Sequence, residues 1–141
     1  MEDFTALRLT ELVYLPPARV WDLLTDWAAA PAWMPGIAEM HAEEPLRVGA
    51  VLDYHSGGHE RQLTVIDLDL GRAITLSTGP GDGRTDYSYS LSEDGSDTRM
   101  ELVVSVPPAG PGGSPAELRH AVAAAEAGHL AAFKNFAEMA P

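Results

Sequence analysis

Five consecutive apolar runs between Ala50 and Val106 can be folded on one another so that they share one oily face, and this agreement limits the fold more than any other property of the chain. Directly opposed residues of an antiparallel pair lie on the same side of the sheet, so each turn fixes which residues share a face. A two-residue Gly57-Gly58 turn pairs Ser56 with His59, Tyr54 with Arg61 and Leu52 with Leu63. A turn at Asp69-Leu70 pairs Asp67 with Arg72, Val65 with Ile74 and Leu63 with Leu76. Centring the Pro80–Gly83 turn pairs Thr78 with Thr85, Leu76 with Tyr87 and Ile74 with Tyr89. The Asp94-Gly95 turn pairs Leu91 with Thr98, Tyr89 with Met100 and Tyr87 with Leu102.

One face then collects Leu52, Leu63, Val65, Ile74, Leu76, Tyr87, Tyr89, Leu91, Met100, Leu102 and Val104. The other collects Asp53, Gln62, Thr64, Thr75, Ser88, Ser90, Arg99 and Glu101, with Ile66 the exception. A slip of one residue at any turn would send an oily set to solvent, so an antiparallel meander with one apolar face is expected, and a bulge would shift a strand.

The flanking segments supply a cover for that face. Residues 4–15 read as a first strand ended by Pro16-Pro17, and proline is tolerated at a helix start because its missing donor would be unpaired there. Ala18 to about Asp26 is expected to be a short helix, with Val20, Leu23, Leu24 and Trp27 on one face. A further turn or two precedes Pro35-Gly36, and a strand follows over about 37–44. Pro107 to Gly113 is a loop, after which Ser114-Pro115-Ala116-Glu117 is a capping box. The helix it opens runs to about Ala140, some 39 Å at roughly 1.5 Å per residue. Leu118, Val122, Ala125, His129, Phe133 and Phe136 form its apolar stripe.

Composition removes several functions. Nine basic residues against 21 acidic ones give a net charge of −12, which repels a phosphate backbone and disfavours nucleic-acid binding and anionic membranes. No apolar run reaches the roughly 20 residues of a membrane span. With no cysteine there is no disulfide or thiolate site, and a cytoplasmic location is the expectation. No His-x-x-x-His, His-Glu-x-x-His or carboxylate cluster supports a metal, so neither metal nor cofactor is expected. The chain has a single lysine, Lys134, among many Ala, Gly and Pro residues, a bias that looks bacterial.

The order of elements resembles a known superfamily. Leu15-Pro16-Pro17-Ala18-Arg19-Val20-Trp21-Asp22-Leu23-Leu24-Thr25-Asp26, Trp33-Met34-Pro35-Gly36-Ile37, Val48-Gly49 and the late helix are similar to the START-like, Bet v 1-like (SRPBCC) superfamily. Within it the chain looks most similar to the polyketide cyclase/dehydrase and lipid-transport group. The resemblance covers nearly the whole chain and implies one α+β domain over residues 1–141. Its implied form is the helix-grip fold: a seven-stranded curved antiparallel sheet around a long C-terminal helix, with two short helices after the first strand. Members enclose sterols, lipids, polyketides or plant hormones; some are aromatases or cyclases, and others only carry or sense their ligand. No shared motif unites the catalytic members, so no catalytic set transfers residue by residue; Arg61 is the nearest match to a cyclase's cavity arginine.

The predicted pairings stack into rows across the cavity face. One reads Tyr54, Arg61, Thr78, Thr85 and Val104, the next Leu52, Leu63, Leu76, Tyr87 and Leu102. The first row is a polar zone where a guanidinium can hold a carboxylate or enolate in bidentate fashion and phenols can donate to carbonyls. Its plainer alternative is Arg61 reaching water along an apolar stem at the sheet edge. His129, in the middle of the helical stripe, can act as general acid or base, or can be a packed histidine bonded to Tyr87 or Tyr89. Glu126, at the stripe's edge, reads as solvated, with ligand contact as the alternative. Trp33 packs a short helix or touches ligand at the mouth, and Tyr89, Met100 and Phe133 complete the expected lining.

Arg61, His129 and Tyr54 are therefore the candidate catalytic residues. The expected partner is a hydrophobic, aromatic or polyketide-like or lipid-like small molecule, bound by a monomer or homodimer. Cofactor-free cyclisation or dehydration is one outcome; carriage, sequestration or sensing without turnover is the second. The third is a co-chaperone-like interaction module, which a filled interior would favour.

Overall fold

Pro16 and Pro17 end the first strand, β1 (Thr5–Val13), and start the first helix, α1 (Pro17–Leu24): Pro16 is extended, and Pro17 occupies the first turn, where a donor is not required. The computed structural model describes residues 4–34, 36–78, 84–107 and 116–140. The Pro80–Gly83 turn, the loop beyond Pro107 and the Ser114-Pro115 start of the capping box lie outside them. After α1 a 3-10 helix, Trp27–Ala32, leads to β2 (Ile37–Ala42). The meander follows as β3 (Val51–Ser56), β4 (His59–Asp69), β5 (Ala73–Ser77), β6 (Asp86–Asp94) and β7 (Asp97–Ser105). Helices α2 (Ala116–Glu126) and α3 (His129–Met139) close the chain.

The strands form one seven-stranded antiparallel sheet in the order β1-β7-β6-β5-β4-β3-β2. Register irregularities interrupt β1 between Thr5 and Leu7, β2 between Ile37 and Glu39, and β4 between Val65 and Asp67. Bulges bend and twist a strand, and these three give the sheet its curl. The predicted oily face is the inner one: all its members are buried except Tyr87, which is half-buried.

Two of the four predicted registers need correction, each without changing a face. Val65 pairs with Leu76 rather than Ile74, because the β4–β5 loop holds Leu70-Gly71-Arg72, with Gly71 at φ +81°. That longer loop alone would invert the faces; the bulge at Ile66 inverts them back and leaves Ile66 partly exposed, which accounts for the sequence exception. Likewise Leu91 pairs with Met100, Tyr89 with Leu102 and Tyr87 with Val104, because the tight turn is Gly95-Ser96 and Asp94 pairs with Asp97. The β3–β4 and β5–β6 pairs match their expected partners.

The long C-terminal helix carries a break at Ala127-Gly128. Beyond it Leu130, Phe133 and Ala137 are buried against the sheet, whereas α2 buries no residue fully. The break also changes the phase of the stripe. Ala125 is exposed, contrary to expectation, and Glu126 turns inward in its place. Polar ties fix the ends of this arrangement. Buried Thr98 donates its hydroxyl to the Leu15 carbonyl at 2.8 Å, holding β7 to the chain leaving β1. Lys134 donates to the Leu12 carbonyl at 2.5 Å and to Glu138 at 2.7 Å, and its ammonium lies 4.1 Å from the centre of the Tyr14 ring.

Phe133 is fully buried, so Phe133→Ala is expected to cost roughly 3–5 kcal/mol in urea unfolding. Gly128 has φ −94°, ψ 2°, and a Cβ there would meet nothing within 4 Å. Gly128→Ala is therefore expected to add about 0.4–1 kcal/mol by restricting the unfolded chain; a loss of stability would show that the break itself is required.

Candidate functional site

Because α3 seals one part of the inner face and α2 only skirts the rest, a hollow remains between the sheet and the break. It is lined by Met34, Ile37, Tyr54, Leu63, Leu76, Tyr87, Tyr89, Glu126 and His129. Its empty space, mouth included, is about 340 Å³, of which about 40 Å³ stands clear enough of the walls to take the centre of a water molecule. The space is narrow beside the roughly 300–1,000 Å³ of ordinary ligand pockets.

A hydrogen-bonded chain crosses this hollow. His129 is 3% exposed; its Nδ1 lies 2.6 Å from Glu126 Oε2 and its Nε2 2.7 Å from the Tyr89 hydroxyl. Tyr87 donates to Glu126 Oε1 at 3.3 Å. A carboxylate only accepts, so Nδ1 carries the hydrogen facing Glu126. Burial, with the Tyr87 phenol and the Glu126 charge behind it, pushes the Tyr89 phenol well above its ordinary range. The Tyr89 hydroxyl and Nε2 share the second bond of the chain. Burial also raises Tyr87, and the adjacent Glu126 charge and bond raise it further. Tyr54 is raised by burial, with Arg61 pulling against it and Glu126 adding to it.

The side chains singled out in the sequence fall into three groups. Tyr54, Leu63, Leu76, Tyr87, Tyr89, Glu126 and His129 meet at the inner hollow. Arg61 and Thr78 line a second, polar hollow open to solvent, together with Glu60, Gln62, Thr64 and the same Tyr54. Arg61 is exposed, whereas Thr85 is buried, with its backbone N–H donating to Thr78 Oγ1 at 2.8 Å. Trp33, Met100, Leu102 and Phe133 pack behind the wall. The Trp33 ring stands edge-on to Phe133 at 4.8 Å, to His129 at 5.5 Å and to Tyr89 at 6.3 Å. Its Nε1 is buried without an acceptor among the described residues.

Two lining residues, Met34 and Ile37, were not anticipated. They flank Pro35-Gly36, where no strand alternation assigns a face. Their one signal is apolar character beside a chain-reversing Pro-Gly. Glu126 was read as solvated because a continuous helix places it at the edge of the stripe; the break turns it inward.

Comparison with known proteins places this geometry in context. The family described as polyketide cyclase / dehydrase and lipid transport matches residues 6–138. No curated protein matches. Among solved structures, a START superfamily protein from Mycobacterium smegmatis is 19% identical with a TM-score of 0.72, over 94% of this chain and 96% of that one. Ara h 8.0201 is 15% identical with a TM-score of 0.67, over 93% and 95%. The di-domain ARO/CYC BexL of the BE-7585A biosynthetic pathway is 19% identical with a TM-score of 0.65; 97% of this chain matches 50% of BexL, half its length. At these identities the structural likenesses show the helix-grip fold alone.

Three phenols held above their ordinary value of about 10 make stability sensitive to alkali. The unfolded chain releases these protons first. Their contribution is thus complete below about pH 10 and is lost as pH rises toward the folded-state values. Urea midpoints are expected to fall between about pH 9 and pH 11, and less steeply in Tyr89→Phe. Equal slopes for the two proteins would show that Tyr89 is not a source of the effect.

Proposed function

The chain belongs to the polyketide cyclase / dehydrase and lipid transport family, and from that premise we propose that it encloses a hydrophobic, aromatic or polyketide-like small molecule between its sheet and its broken helix. The observation that carries this reading is the composition of the hollow. Leu63, Leu76, Met34 and Ile37 supply apolar walls, and Tyr54, Tyr87, Tyr89, His129 and Glu126 supply a few convergent polar groups. Such a mixture fixes the orientation of a largely apolar guest.

Tyr54 borders both hollows, so a guest seated inside extends past it toward Arg61. There the guanidinium anchors an oxygenated or anionic group. Where turnover follows, it is a cofactor-free cyclisation or dehydration. The walls hold the substrate in a folded conformer, and the Tyr54 phenol donates to the carbonyl oxygen on which negative charge develops. His129 has both ring nitrogens engaged by protein groups, so it acts through Tyr89 rather than by touching the guest. It serves as a positioning residue. The same engagement favours a second reading, a carrier or sequestering protein without turnover.

Native mass spectrometry of the protein purified from its own host separates these readings. A retained small molecule that is also converted supports the cyclase, and a retained molecule left unchanged supports the carrier. An interior empty under all conditions, with a protein partner retained instead, supports the interaction module. For a retained ligand, Arg61→Ala is expected to weaken binding about tenfold, as loss of a charge-assisted contact does. Unchanged affinity would remove Arg61 from the anchor.

A further inference from the structure

Of the nine residues lining the inner hollow, Glu126 alone carries a fixed charge. Its two oxygens accept from Tyr87 and from His129, which is its one ion-pair partner among the described residues. Among the described residues no lysine or arginine pairs with it: the ion pairs of Arg8, Arg47, Arg84, Arg99 and Lys134 all go to other carboxylates. Arg61 lines the outer hollow, beyond Tyr54. The side chain of Glu126 is 13% exposed, so water reaches it only in part. A carboxylate offers about four acceptor positions, and protein groups take two.

The surroundings of this charge favour a cation of one kind. Tyr54, Tyr87 and Tyr89 present neutral aromatic rings to the same space, and ring faces attract an organic ammonium. The interior repels an anion, because like charges in a poorly solvated space interact strongly. A hydrated metal ion has no second ligand set here, since no group of three or more His, Asp or Glu side chains suited to a metal occurs among the described residues. The net charge of −12 further concentrates organic cations at the mouth.

We propose that the molecule taken into this hollow carries a protonated amine, seated against the Glu126 carboxylate, with its apolar body against Leu63, Leu76 and the tyrosine rings. The inference deepens the cavity reading above and depends on it. In the resulting complex the ammonium donates to the free acceptor positions of Glu126, while Tyr87 and His129 hold the carboxylate in place. His129 is then a positioning residue for binding as well as for any proton transfer. Arg61, at the outer hollow, is left to an oxygenated group at the other end of the guest.

The test compares benzylamine with its neutral isostere benzyl alcohol by NMR titration of the full chain. Benzylamine is expected to bind at least tenfold more tightly, the increment of one charge-assisted bond. Glu126→Gln is expected to erase that difference. If both bind wild-type protein with equal affinity, or the alcohol binds more tightly, the amine is wrong and the cavity reading stands. If neither perturbs the Tyr87, Tyr89 and His129 resonances, the cavity reading fails and the amine with it. Should Glu126→Gln not fold, Tyr87→Phe replaces it. That variant frees one acceptor position without removing the charge, so preference for the amine must persist, and its disappearance overturns the proposal.

Discussion

A sheet with one apolar face has to be covered, and the cover available here is unequal along its length. The inward row Leu130, Phe133 and Ala137 presses α3 onto the sheet, whereas α2 buries none of its residues fully. At roughly 25 cal/mol per Å² of apolar surface, burying a single Phe133 outweighs any exposed ion pair on the molecule, so α3 sets the position of the helix. The remainder of the inner face, around Leu63, Leu76 and the tyrosines, is roofed by the break rather than by a packed turn. The hollow follows from that mismatch.

The break also explains why the polar groups meet where they do. Glu126 ends α2 and His129 begins α3, so their 2.6 Å bond spans the interruption, and the 2.7 Å contact between His129 and Tyr89 then pins the joint to β6. A buried polar group costs more unpaired than it contributes when paired. The chain from Tyr89 through His129 to Glu126 and Tyr87 satisfies each member at once. Tyr87 and Tyr89 share a face of β6 because they are two residues apart, so one strand supplies both ends of the chain.

Much of this was readable beforehand. Alternation put the eleven residues of the oily set on the inner face, whereas Arg61, expected on the same face, is exposed at the outer hollow; Gly57-Gly58 fixed its hairpin to the residue. Along the oily stretches the registers that moved did so by two, since parity is what the oily face enforces and the exact partner is not. Gly71 and the Ile66 bulge compensate each other in a way that alternation over single strands does not reveal. The helical break escaped for a related reason. A lone glycine within an Ala-rich stretch lowers helix propensity by about 1 kcal/mol, too little to mark an end. The break decides what a continuous helix left open: Ala125 is exposed and Glu126, at the stripe's edge between solvent and ligand contact, faces the hollow; His129 and Phe133, beyond the break, kept their faces.

One tie at the opposite end of α3 has a practical consequence. Lys134 is the sole lysine of the chain, and its ammonium is occupied by the Leu12 carbonyl, Glu138 and the Tyr14 ring. Acylating reagents act on a free, deprotonated amine, so the folded protein shields its one side-chain target. The speed at which that nitrogen becomes labelled therefore measures how often α3 peels away from β1, a local opening that reports on the helix without any engineered probe.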